Sequence, residues 1–373
     1  HGPPHIIQTY VNRREIFGDS ENPLGSYAGS LTARSSNLED IHAKLGWHQQ
    51  QVLTSLYKRP SDLLIYYGWL NSFNSATNGW NNELVAKELA QYGLLVFGDG
   101  IQDSGHGDYS NTSVIVPRIK ALNPNTKIFG YVSANQTLTA FQTKVDQWNT
   151  LGVHGIFVDE AGYDYGKTRS ELNTMIDYVH NRATSNLVFA NAWNTDHVLG
   201  TENDASYPNT TYNSGEVESN LGVNDWILLE SLPINTTAYT SSTPDGYESK
   251  SDWLARSEKA KSLRATYGVN FASCGIIDDA TSGGQDMFDF SYIAACMYAF
   301  EAHGISDTSY GSSSAKSRWW TRPDVTGMGS IYTLYPGITV DQGDSDVYLR
   351  YTDFGKFLLD FSDSAQDSSI VKR

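Results

Sequence analysis

From Pro60 onward the chain alternates short apolar runs with stretches of helical period. The runs are LLIYYGW (63–69), LLVFGDG (94–100), KIFGYVSAN (127–135), GIFVDE (155–160), NLVFANAWN (186–194), DWILLES (225–231), VNFASCGIIDD (269–279) and a weaker GISDTSYG (304–311). Between them lie NNELVAKELAQYG, TLTAFQTKVDQWNTLG, RSELNTMIDYVHNR, SKSDWLARSEKAKSLRATYG and FDFSYIAACMYAFEAHG, each close to a 3.6-residue period. Several of these end in Tyr-Gly or Leu-Gly just before the next run, as a helix C-cap does. Strand starts recur every roughly 30–40 residues, giving eight βα units over a length usual for a TIM (β/α)8 barrel. The competing fold is an open doubly wound sheet. It rarely needs eight strands, and the sequence has neither a GxGxxG nor a phosphate-binding glycine loop.

The two ends read differently. Residues 1–35 are turn-rich. From Ser36 to Tyr57, Leu38, Ile41, Leu45, His48 and Val52 recur at three-four spacing, with Ser36 and Glu39 placed as a capping box. This predicts a helix, either an ordinary amphipathic one or a short stalk holding a homotrimer or another homo-oligomer through residues 36–57. The tail from about Arg318 shows two-residue alternation and no helical pattern, so a small antiparallel β appendage is expected there. The expected division is an extension at 1–60, a barrel at 61–315 and an appendage at 316–373.

Composition narrows the partners. The formal net charge is −16, and nearly all of it belongs to the part after the first 60 residues. Such a body repels nucleic acid and anionic lipid and attracts cationic substrates. No apolar run is long enough to cross a membrane as a helix. Two cysteines, Cys274 and Cys296, make neither a disulfide framework nor a zinc cluster, so no metal site is expected. Abundant Tyr, Asn, Ser and Thr with few Lys suit an extracellular protein, whether secreted, cell-surface or virion-borne.

In a barrel of this kind chemistry gathers at the carboxyl ends of the strands. Those ends offer Tyr66, Tyr67 and Trp69 from strand 1, Asp99 from strand 2 and Tyr131 from strand 3. Strand 4 offers Asp159 and Glu160, strand 5 Asn191 and Trp193, strand 6 Glu230, and strand 7 Asp278 and Asp279. Acids among aromatic rings suit carbohydrate: sugar C–H faces stack on Trp and Tyr while carboxylates and amides bind hydroxyls. Glycoside cleavage needs two carboxyl groups, one ionised and one protonated. Asp159 (after IFV) and Glu230 (after WILL) are the expected pair, Asp159 as nucleophile and Glu230, desolvated by its apolar run, as acid. Asp99, Asp278 and Glu160 are the rivals. Strand alternation is expected to turn Glu160 away from Asp159.

The motifs YYGW, GIFVDEAG, NAWN and LLES resemble those of the spherulin-4-like proteins and endo-α-1,4-polygalactosaminidases of glycoside hydrolase family 114, over about residues 62–310. The resemblance implies a (β/α)8 fold, no obligatory cofactor, Asp159 and Glu230 as the catalytic pair, and a galactosamine-containing polysaccharide as substrate. NAWN stands where such proteins more usually carry an Asn-Pro-Gly turn. Two functions follow from the sequence. One is an extracellular hydrolase of an amino-sugar polysaccharide. The other is a glycan-binding protein of the tail-fibre or adhesin kind, whose barrel holds the sugar without cutting it.

Overall fold

The computed structural model describes residues 59–235, 246–277, 284–307, 320–325, 327–328, 339–341, 343–352, 354–362 and 367–372. The stalk helix expected at 36–57, with its trimer, lies outside the described residues. So do Asp278 and Asp279.

Eight parallel strands close into a barrel in sequence order: β1 (Ser61–Tyr66), β2 (Leu94–Phe97), β3 (Lys127–Ser133), β4 (Gly155–Asp159), β5 (Leu187–Asn191), β6 (Trp226–Asn235), β7 (Asn270–Ile277) and β8 (Ala302–Asp307). Pairing of β1 with β8 through Ser61 and Asp62 shuts the ring. Successive residues of a strand face opposite sides, and both sides here are apolar. One set, including Leu63, Val96, Phe129, Phe157, Phe189, Leu228 and Ala272, fills the barrel. The other, including Leu64, Tyr66, Leu95, Phe97, Val132, Ile156, Val158, Val188 and Leu229, packs beneath the helices. Burial on both faces is why these segments read as continuous apolar runs rather than alternating ones.

The helices are α1 (Asn82–Leu89), α2 (Tyr109–Leu122), α3 (Leu138–Leu151), α4 (Arg169–His180), α5 (Lys250–Tyr267) and α6 (Gly284–Tyr298). Their ends are chemically specified. Thr168 and Glu171 form a reciprocal capping box at α4, Ser249 caps α5, and Gly152 and Gly268 end α3 and α5 in the left-handed conformation. Helix α2 is absent from the sequence expectation. Its Ser, Asn and Thr residues and internal Pro117 dilute the helical pattern. The β5–β6 connection carries only short helical turns, which leaves it free to build surface features. Gly130 admits the closest approach between layers: a Cβ there would lie 2.1 Å from the Trp148 ring. Trp148 therefore lies flat on β3, and its indole N–H donates to the Tyr131 carbonyl at 3.0 Å.

After the barrel, β9 (Thr339–Asp341), β10 (Asp344–Thr352), β11 (Gly355–Asp360) and β12 (Ser368–Lys372) form an antiparallel sheet in the order β12-β11-β10-β9. It docks on the barrel's helices. Trp253 of α5, fully buried, meets Tyr348 and Phe361 at centroid distances of 5.4 and 4.9 Å. Replacing an indole in such a place with alanine costs roughly 3–5 kcal/mol. Both cysteines are buried. Among the described residues no helix is long and apolar enough to cross a membrane.

Candidate active site

The inward-facing register leads to the site. Two residues beyond Phe157 on the same face of β4 is Asp159, two beyond Phe189 on β5 is Asn191, and two beyond Leu228 on β6 is Glu230. The three side chains meet over a floor of aromatic rings. Phe157 and Phe189 pack edge to face at 5.1 Å, and Tyr131 lies 5.9 Å from Phe157.

One amide joins the two acids. Asn191 Nδ2 donates to Asp159 Oδ1 at 2.8 Å and to Glu230 Oε2 at 2.9 Å. The two N–H bonds of an amide diverge by about 120°, which sets these oxygens about 5 Å apart, close to the spacing of retaining glycosidases. The acids are otherwise unlike. The Tyr131 phenol and the Glu160 backbone N–H also favour the charged form of Asp159, so with Asn191 three groups support its charge. For Glu230 the only hydrogen bond resolved as favouring its charge comes from Asn191. Burial above an apolar floor pushes both carboxyls above their ordinary values, opposed at Asp159 by those three donors. Burial and the nearby Asp159 charge drive the Tyr131 phenol far upward, so it stays a proton donor.

The residues immediately after both acids take left-handed backbone: Glu160 at φ 54° and Ser231 at φ 57°. Such conformations cost about 1–3 kcal/mol for a side-chain-bearing residue and gather at functional sites. At Glu160 this reverses the sequence expectation. The left-handed turn interrupts strand alternation, so the carboxylate is not turned away. It accepts from the Ser133 hydroxyl on the neighbouring strand, and its charge reaches both Asp159 and Tyr131.

The remaining predicted residues divide. Tyr67 stacks edge to face on Tyr131 at 5.4 Å, at the mouth. Trp69 is 48% exposed and Trp193 60% exposed. They follow β1 and β5, which stand opposite each other in a ring of eight, so an open indole flanks the mouth on each side. Asp99 reaches the rim with both oxygens engaged, by the Gly100 N–H and Gln102 amide on one side and Lys144 on the other. Tyr66 is a correction: its parity is outward, and it is fully buried beneath the first loop against Phe73. It cannot touch a substrate.

Sequence reasoning missed Ser133, which shares the parity of Tyr131 and could have been found from it. It also missed Arg256 of α5. The Arg256 guanidinium donates to the Glu230 carbonyl at 2.6 Å and to Glu248 at 2.9 Å, and sits 5.2 Å over the Trp193 ring.

No known family model and no curated protein matches the chain. Solved structures with a similar arrangement include the glycoside hydrolase domain of PelA from Pseudomonas aeruginosa, at 11% identity and a TM-score of 0.41, covering 69% of this chain and all of that one. Another is the carboxyl transferase domain of Rhizobium etli pyruvate carboxylase, at 11% identity and a TM-score of 0.39, covering 67% of this chain and 40% of that one. A barrel fold hosts many chemistries, so function is argued from the site.

Proposed function

We propose that the barrel mouth hydrolyses glycosidic bonds with retention of configuration, Asp159 acting as nucleophile and Glu230 as acid and base. The observation that carries this is the single Asn191 amide bonded to both carboxylates. It supports a separation too short for a water molecule to attack between acid and sugar, and long enough for a covalent intermediate. The unequal surroundings of the two acids support this division of roles. At Asp159 three groups favour the charged form against its burial. Glu230, desolvated, with one hydrogen bond favouring its charge and the Asp159 charge opposing it, is the better candidate for the proton donor.

In the first step the Asp159 oxygen bonds to the anomeric carbon while Glu230 passes its proton to the departing glycosidic oxygen. In the second, Glu230 as carboxylate takes a proton from water, whose oxygen displaces Asp159. Tyr131 and Asn191 stay as donors throughout, steadying the charge on Asp159. Trp69, Trp193, Tyr67 and Glu160 are the proposed sugar contacts. The net charge of −16 and the resemblance noted above favour an extracellular, cationic amino-sugar polymer of the galactosamine type as substrate. The exposed indoles would equally serve a barrel that only binds glycan, as in a tail fibre or adhesin.

Incubation with polygalactosamine separates the readings. New reducing ends whose anomeric configuration, followed by NMR, matches that of the polymer support retention. Binding without new ends selects the glycan-binding alternative, and an inverted product removes Asp159 as nucleophile.

A further inference from the structure

Beside the mouth a cavity of about 630 Å³ opens between α5 and the loops that follow β4 and β5. Its volume is that of an ordinary small-molecule site. Trp193 forms one wall, and Arg256, bonded to the Glu230 carbonyl, shares that wall, so the cavity adjoins the proposed acid. Tyr207, His197 and Asp204 make up another side of the lining.

That side is built rigidly. His197 stacks on Tyr163 at 4.3 Å, accepts the Tyr163 backbone N–H at Nδ1 (3.2 Å) and pairs through Nε2 with Asp204 at 3.0 Å. Asp164 stands on the lining with 30% of its side chain exposed. Among the described residues its nearest basic neighbour is His197 Nδ1 at 3.7 Å, a nitrogen already used as an acceptor. Gly162 makes room for this carboxylate, since a Cβ there would lie 2.0 Å from Asp164 Oδ1.

Charge decides what fits. The two cations of the lining are already paired with carboxylates that do not line it: Arg256 with Glu248 at 2.9 Å, and Lys259 with Asp196 at 2.8 Å and with Glu202. Asp164 and Asp204 therefore leave the cavity with a negative field, inside a chain of net charge −16. A carboxylated sugar is repelled and an ammonium is drawn in.

We infer that this cavity is a second saccharide subsite, taking one hexosamine unit with a free ammonium, stacked on Trp193 and ion-paired to Asp164. The inference rests on the reading of the mouth as a glycan site. It puts a unit of the chain beside Glu230 and outside the barrel axis, and it makes deacetylation of that unit a condition of tight binding.

Calorimetric titration of the Glu230→Gln protein with a galactosamine hexamer and with its fully N-acetylated counterpart tests this. Asp164→Asn, added to that protein, keeps the shape and removes the charge. It is expected to weaken binding of the free-amine hexamer about tenfold, the worth of one charge-assisted contact, and to leave the N-acetylated hexamer unaffected. Equal affinity for the free-amine hexamer with and without Asp164→Asn overturns the subsite while leaving the proposed function standing. If the Glu230→Gln protein binds neither hexamer, the proposed function fails and the subsite with it. Lys259→Met supplies a second arm with Asp164 intact. Unchanged or tighter binding of the free-amine hexamer supports the negative field, and weaker binding overturns it.

Discussion

Both ends of the barrel bury carboxylates, and they treat them differently. At the base, Asp62 of β1 is 8% exposed and flanked by two arginines, Arg59 at 3.4 Å and Arg322 from the segment leading to the C-terminal sheet. Burial still holds its carboxyl above the ordinary value, but each arginine opposes that. Beside it in register, His303 is buried, bonded to the Ser291 hydroxyl at 2.8 Å and pushed down to about 3. At the mouth, no described cation is bonded to the carboxylate of Asp159 or Glu230. The groups set against them are neutral ones, an amide, a phenol and a backbone N–H, and the one cation whose charge reaches Glu230, Arg256, is bonded to its backbone carbonyl and not to its carboxylate. A buried acid closed off by cations is architecture, and here it ties the tail to the barrel. A buried acid held by neutral donors retains a charge, or a proton, that a substrate can use.

The sharpest way to break this comparison is at the mouth. Asp159→Asn and Glu230→Gln are each expected to lower the rate of reducing-end release on the order of a thousandfold, the usual worth of a nucleophile or general acid. At the base, Arg322→Ala leaves Asp62 with the more distant Arg59 alone. Denaturant titration should show a loss of about 3 kcal/mol, with turnover per folded molecule unchanged.

Asn191→Ala probes the shared donor. Its N–H bonds favour the charged form of both acids, so removing them raises both. The acid limb of the rate profile, set by ionisation of Asp159, and the alkaline limb, set by loss of the Glu230 proton, should both move to higher pH. A profile that only falls in height would show that the amide does not tune the pair. The smallest effect expected is on stability. Glu230 has a folded value above its ordinary one, so the stability tied to its protonated form is complete in acid and lost as pH rises through the folded value. Glu230→Gln should therefore gain about 1 kcal/mol near neutrality and nothing in acid, read from urea midpoints across that range.

Much of this was legible in the sequence because strands buried on both faces write themselves as apolar runs, and because the polar residue ending each run is the one at the mouth. Asp159, Asn191 and Glu230 follow Phe157, Phe189 and Leu228 by two positions. The same count would have sent Tyr66 outward. Glu160 could not be read, because its left-handed backbone is imposed by the surrounding fold on a residue that does not favour it. Arg256 lies 26 positions after Glu230, on a helix whose facing residues no local period reveals. Helix α2 was hidden by residues that suit turns as well as helices.

One parallel assay tests the difference between an acid bonded to cations and an acid bonded to neutral donors. Reducing-end release from polygalactosamine is measured per folded molecule for the unaltered protein, Glu230→Gln and Asp62→Asn. The prediction is a collapse of the rate for Glu230→Gln and an undiminished rate for Asp62→Asn. Full activity of Glu230→Gln would contradict it.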